Sequence, residues 1–146
     1  MGNKNNNYQE NSQAIQAHLS ITQSVIQRMA SNSASSKTWC ITVVSAILVI
    51  VADKERPQYA LIALIPTLLF WGLDIYYLML EKRFRNSYNT FIDKLHTRKV
   101  VASDLYAVSP SGSQIASFKE SFFSFSIWPF YIALLIMIWV IQKIII

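Results

Sequence analysis

From Ser12 onward the apolar positions fall into step. Ile15, Leu19, Thr22, Ile26 and Met29 follow one another at intervals of four and three, the spacing of residues that share one face of a helix. Ala14, His18, Ile21 and Val25 widen this seam, and Gln13, Gln16, Gln23, Ser24 and Gln27 take the other face. The pattern predicts an amphipathic helix of roughly five turns with few charges. "SNSASSK", residues 31–37, has no apolar face and reads as a polar break or a weak helical joint.

Periodicity then gives way to continuous hydrophobicity. "TWCITVVSAILVIVA", residues 38–52, has 15 residues, fewer than the roughly 20 that a 30 Å hydrocarbon core requires. "DKERPQ" is a polar turn, and "YALIALIPTLLFWGLDIYYLML", residues 59–80, is 22 residues long, a full span. So short a turn forces the two runs into an antiparallel hairpin, so the first run crosses as well, helped by local thinning of the bilayer. Pro66 is expected to kink the second run. Helical spacing persists beyond Leu80 through Phe84, Tyr88, Phe91, Ile92 and Leu95, which extends the second helix to about His96. Residues 97–114 are irregular. Phe118, Phe122 and Phe125 suggest an interfacial helix, and "IWPFYIALLIMIWVIQKIII", residues 127–146, is a third span. Pro129 suits its first turn, and Trp128 and Tyr131 suit an interfacial belt.

The expected architecture is therefore all-α. Residues 1–37 form a cytoplasmic tail, Asn-rich and disordered over about the first ten residues, and an amphipathic helix. Residues 38–80 form a transmembrane hairpin (38–52 and 59–80), residues 81–126 a helix extension, loop and interfacial helix, and residues 127–146 a third transmembrane helix.

Composition supports a membrane class. Hydrophobic residues make up 53% of the chain and charged residues only 14%, against roughly 25% in a soluble domain, whose surface charge must cover. The polar N-terminus lacks the plan of a cleavable signal peptide, so the first apolar run is expected to remain in the mature protein. With one cysteine, Cys40, no intrachain disulfide can form. Of the 13 lysines and arginines, ten lie before residue 38 or within 81–121, and three (Lys54, Arg56 and Lys143) lie elsewhere. The positive-inside bias thus puts the N-terminus and 81–121 in the cytoplasm and the C-terminus outside or at the outer interface.

The chemistry-bearing positions are few. Asp74 is an acid inside an apolar run, about 9 Å from the inner boundary at 1.5 Å per residue. It either bonds a Ser, Thr or Trp of a neighbouring helix or reaches water at the rim, or it faces a shared axis in an oligomer as part of a pore or gate, with Pro66 and Tyr77 as companions. A lone shallow acid is weak support for proton-coupled transport. Lys82, Arg83 and Arg85, with Arg98 and Lys99, suit anionic lipid headgroups or an anionic ligand. His18 and His96 read as helix-surface residues. Their isolation gives no metal-ligand spacing, and three glycines cannot build a phosphate cradle. No nucleophile motif occurs, so no enzyme, cofactor, metal or nucleic-acid partner is expected. The seam Ile15, Leu19, Thr22, Ile26 and Met29 lacks the basic polar face of a membrane-surface helix, which favours packing on copies of itself or on a partner. Ser45, Ala46, Ala60, Ala63 and Gly72 permit close helix approach.

The stretch from "KTWCITVVSAILVIVA" through "LIPTLLFWGLDIYYLMLEKRFRNSYNTF" resembles a group of small bacterial inner-membrane effector proteins of antiphage defence operons. The matching features are Trp39 at the start of a short first span, "FWGLDIYYL" at 70–78, and the basic exit Glu81–Lys82–Arg83–Phe84–Arg85. The resemblance covers about 55 residues. It implies a homo-oligomer that permeabilises the inner membrane when a cytosolic sensor or signalling protein activates it. A second expectation, drawn from the architecture alone, is a membrane anchor or adaptor that tethers a cytosolic partner through residues 12–30 and 81–121.

Overall fold

A computed structural model describes residues 12–144. The Asn-rich stretch read as disordered lies outside the described residues, as do Ile145 and Ile146. Among the described residues every regular element is helical: α1 (Gln13–Asp53), a 3-10 segment (Pro57–Ala63), α2 (Leu64–His96), α3 (Ala102–Tyr106), α4 (Gln114–Phe122) and α5 (Trp128–Ile144). Two helices, Gln13–Asp53 and Pro57–His96, are long and apolar enough to cross a membrane.

Of the two readings of 31–37, a polar break or a weak helical joint, the break is absent. The amphipathic helix and the first apolar run are one α-helix of 41 residues, about 60 Å long. Polar residues survive inside it because their side chains are satisfied locally. Ser36, Thr38 and Thr42 each donate to the carbonyl one turn back, at 2.9, 3.3 and 2.8 Å. The buried stripe also runs unbroken through the serines: Met29 is followed by Ser33, Ser36, Cys40, Val44, Leu48 and Val51. The seam thus keeps its spacing and changes only its chemistry. At its start, the Ser12 hydroxyl caps the helix by accepting from the Ile15 amide at 3.4 Å.

Pro66 does not kink a continuous span. It sits in the first turn of α2, preceded by a 3-10 segment of seven residues. Proline has no N–H, and its ring crowds the carbonyl four residues back, so the preceding chain winds more tightly. The Thr67 hydroxyl closes the junction by donating to the Ala63 carbonyl at 2.7 Å. Beyond it α2 continues without interruption to His96, where the positive φ of Arg98, 55°, ends it.

α1 and α2 pack antiparallel over most of their length. At the apolar end α5 joins them, antiparallel to α2. Cys40, Val44, Leu48 and Val51 of α1, Ala60 and Ala63 of the 3-10 segment, Ile75 of α2, and Tyr131, Leu134 and Ile138 of α5 form one core. A smaller core at the polar end joins Ile15 to Phe91, Leu95 and Val100, with Leu19 and Leu105 against it. α4 lies along α2 and stacks Phe122 on Trp71. The loop before α4 is pinned where the Ser111 amide donates to the Arg83 carbonyl at 3.2 Å. Gly112 completes that turn at φ 87°, and a Cβ there would stand 2.9 Å from Asn86 Nδ2, so glycine is required.

Around the apolar end the outward side chains are large and apolar, most of them aliphatic. Val49, Ile50, Ile65 and Leu69 are each more than 60% exposed, and Leu68, Ile136 and Trp139 more than half. A soluble monomer rarely presents such a continuous apolar girdle.

Candidate functional site

Asp74 is fully buried between α1 and α2, at the junction of the polar and apolar halves. The Ser33 hydroxyl donates to its Oδ1. Lys37 Nζ stands 2.6 Å from Oδ2, as an ion pair without the alignment of a hydrogen bond, and 3.5 Å from Ser33 Oγ. Ser33 and Lys37 are four residues apart, so both reach the same acid from one face of α1. Lys37 is 21% exposed and Asp74 is not exposed at all. The lysine therefore extends from solvent inward, its stem along the bundle and its charge on the acid.

Other polar groups line the same interior. Thr67 and Cys40 are buried side by side on facing helices. Tyr131 of α5 comes near Asp74 and donates its hydroxyl to the Phe70 carbonyl at 3.1 Å. The indole N–H of Trp71 is buried with no partner, and Trp71 packs within 6.0 Å of Phe122, Trp128 and Tyr131, ring centre to ring centre. Ser33, Asp74, Tyr131, Cys40 and Thr67 are thus buried polar side chains within a largely apolar bundle, with Lys37 partly exposed beside Asp74. Burying an ion pair costs several kcal/mol per ion in desolvation, and excellent geometry is needed to recover it.

Of the residues expected beside Asp74, Tyr77 lies three positions along the same helix, within reach of its face. Tyr77 is half-buried and meets Tyr76 edge-on at 5.6 Å. Pro66 lies about two turns away on α2. Lys37 and Ser33, the true partners, fell in the stretch read as a break. The signal was present, because Ser33 and Ser36 continue the spacing of Thr22, Ile26 and Met29.

The basic residues form no single patch. Arg85 pairs with Glu81 one turn back at 2.8 Å, and Lys82 faces Glu120 of α4 at 3.7 Å. The Nε of Arg83 is buried without a partner. Arg98 and Lys99 are exposed in the turn after α2, about 20 Å farther along than Arg85 by helical rise.

The N-terminal seam packs on the chain's own α2 and α3. Ile15, Thr22 and Met29 are buried, and Leu19 and Ile26 are half-buried. The Thr22 hydroxyl donates to the His18 carbonyl at 2.9 Å. His18 is not a surface residue. It stacks on Phe91 at 4.3 Å, and its Nδ1 is 3.2 Å from the Leu105 carbonyl, which places the proton on Nδ1. His96 is exposed. Beside His18, Lys94 donates to Asp104 at 2.8 Å. That bond and the Val101 amide hold the Asp104 carboxyl below its ordinary value of 3.8. Among the described residues no group of three or more His, Cys, Asp and Glu side chains could hold a metal.

Comparison with protein-family models, with curated proteins and with solved structures finds no match.

Proposed function

We propose that the protein is an oligomeric membrane effector, in which a cytoplasmic event acts on α1 and α2 and opens a path through the bilayer. The observation that carries this reading is the position of the Lys37–Asp74 pair. It lies where one unbroken helix passes from a polar coil into an apolar bundle with aliphatic side chains facing outward. Motion of the polar half is transmitted along α1 to this pair without a hinge. Separation of the two helices there would bare a carboxylate and an ammonium inside the bundle, and water would follow.

In this proposal α5 is the third span, and the girdle of Val49, Ile50, Ile65 and Leu69 faces lipid. α5 has 17 residues, about 25 Å at helical rise, so it crosses where the bilayer thins. Residues 13–37 and 81–121 lie in the cytoplasm of a bacterial inner membrane, with Lys82 and Lys119 near anionic headgroups. Copies associate side by side within the bilayer. The trigger is a cytosolic signalling partner, in the antiphage setting that the sequence resemblance suggests.

Inducible expression in bacteria with a membrane-potential dye tests the proposal. Asp74→Asn, which releases Lys37, is expected to depolarise cells without the partner, and the native chain only with it. Full potential in both, with the protein in the membrane fraction, would contradict it. The alternative, an anchor for a cytosolic partner, draws on the polar groove along α1 formed by Ser20, Gln23, Ser24, Gln27 and Arg28. Partner capture at intact potential, unchanged by Asp74→Asn, would favour it.

A further inference from the structure

At the end of the molecule remote from the aliphatic girdle, α1, α2, α3 and the loop before α4 enclose a cleft of about 210 Å³. Its chemistry is one-sided. The hydroxyls of Ser87, Ser103 and Ser109 line it, and among the described residues none of the three has a hydrogen-bond partner. Ser111 also lines it and spends only an acceptor, on Asn86 Nδ2 at 3.1 Å. Lys94 reaches in from α2 and uses one of its three N–H groups on Asp104. The Asp104 carboxylate in the same cleft is engaged at both oxygens: Oδ1 accepts from Lys94 and Oδ2 from the Val101 amide at 3.1 Å. Four hydroxyl protons and two ammonium protons therefore remain uncommitted.

We infer that this cleft binds a small water-soluble phosphomonoester, with Lys94 and the serine hydroxyls of Ser87, Ser103, Ser109 and Ser111 around its phosphoryl oxygens. A phosphoryl group offers three strong acceptors and a charge for the ammonium. The volume falls below the range of roughly 300–1,000 Å³ typical of drug-sized ligands, which limits the ligand to a phosphoryl group on a short hydroxylated stem. Serine oxygens can accept from the stem's hydroxyls. Lys94 lies about 20 Å beyond Leu80 along α2, too far for a lipid headgroup of a bilayer that ends near Leu80. A ligand here joins α1, α2 and the loop through one molecule, and its binding does not depend on whether the membrane is permeabilised.

The test is calorimetric titration of the full chain in non-ionic detergent with glycerol 3-phosphate and with inorganic phosphate, with glycerol as the control lacking the phosphoryl group. Saturable binding of the two phosphates and none of glycerol is expected. Lys94→Gln should weaken binding by roughly tenfold or more. Lys94 also holds Asp104, so Ser87→Ala and Ser109→Ala, which remove no bond within the protein, serve as the second pair and should each weaken it. Arg56→Gln, in the turn at the far end, should bind as the native chain does. Equal binding in the serine variants, binding of glycerol, or no heat with either phosphate would overturn the inference. So would loss of glycerol 3-phosphate binding in phosphatidylglycerol nanodiscs, which would assign the cleft to lipid.

Discussion

The Asp74 carboxylate is held by two residues of one helical turn, and its removal is not a local change. In Asp74→Asn the Lys37 ammonium loses its counter-charge. Breaking one side of a buried pair costs about 3–5 kcal/mol when the remaining charge has no escape. Lys37 is partly exposed and can swing outward, so the expected loss is nearer the lower figure. Lys37→Met with Asp74→Leu removes both charges and should recover most of the stability, since apolar replacements of such pairs are often neutral or better. Thermal unfolding in detergent, followed by circular dichroism, separates the cases: a drop for the single variant and recovery for the double. A second residue-scale expectation concerns Asp104. Its carboxyl is depressed in the folded chain, chiefly by the hydrogen bond from Lys94. Its contribution to stability is therefore complete above the unfolded value and is lost as pH falls through the lower folded one. Hydrogen exchange at the Asp104 amide, corrected for intrinsic rate, should stay slow down to roughly pH 4 and quicken below it. In Asp104→Asn it should be faster at neutral pH and lose this pH dependence.

Among the elements, α1 matters most, because its continuity turns two expected segments into one lever. Ser35 lies on its exposed face within the polar stretch. Ser35→Pro removes one backbone hydrogen bond and crowds the carbonyl four residues back, at a cost of about 3 kcal/mol. Ser35→Ala should cost nothing. The expected result is a lower helix content and loss of partner-triggered depolarisation in the proline variant alone. The elements also show what a sequence can and cannot disclose. The polar half of α1 was legible in the spacing of Ile15, Leu19, Thr22, Ile26 and Met29, and the end of α2 in the spacing of Phe84 through Leu95. Both signals come from apolar side chains at fixed intervals. The join between 30 and 38 was illegible for the same reason: the face there is serine, and serine is read as a breaker unless its partner is known. That partner, Asp74, is 41 residues away along the chain. The tight 3-10 segment before Pro66 is not legible in the sequence, because a kink and a change of winding have the same cause and leave the same residue there. The sequence alone suggests a surface position for His18, because one histidine cannot announce the Phe91 ring and the Leu105 carbonyl beside it.

For the whole molecule, the central claim is that α1 crosses the bilayer with Lys37 and Asp74 near its inner edge and the turn at 53–56 outside. The native Cys40 is buried, so single cysteines can be added at exposed positions and labelled with a membrane-impermeant maleimide in intact cells and after lysis. Ser24→Cys reports the polar half of α1, Ser109→Cys the loop before α4, and Glu55→Cys the turn. The account predicts that position 55 is labelled in intact cells, and that positions 24 and 109 are labelled only after lysis. Labelling of 24 or 109 in intact cells, protection of 55 there, or recovery of the chain in the soluble fraction would contradict it.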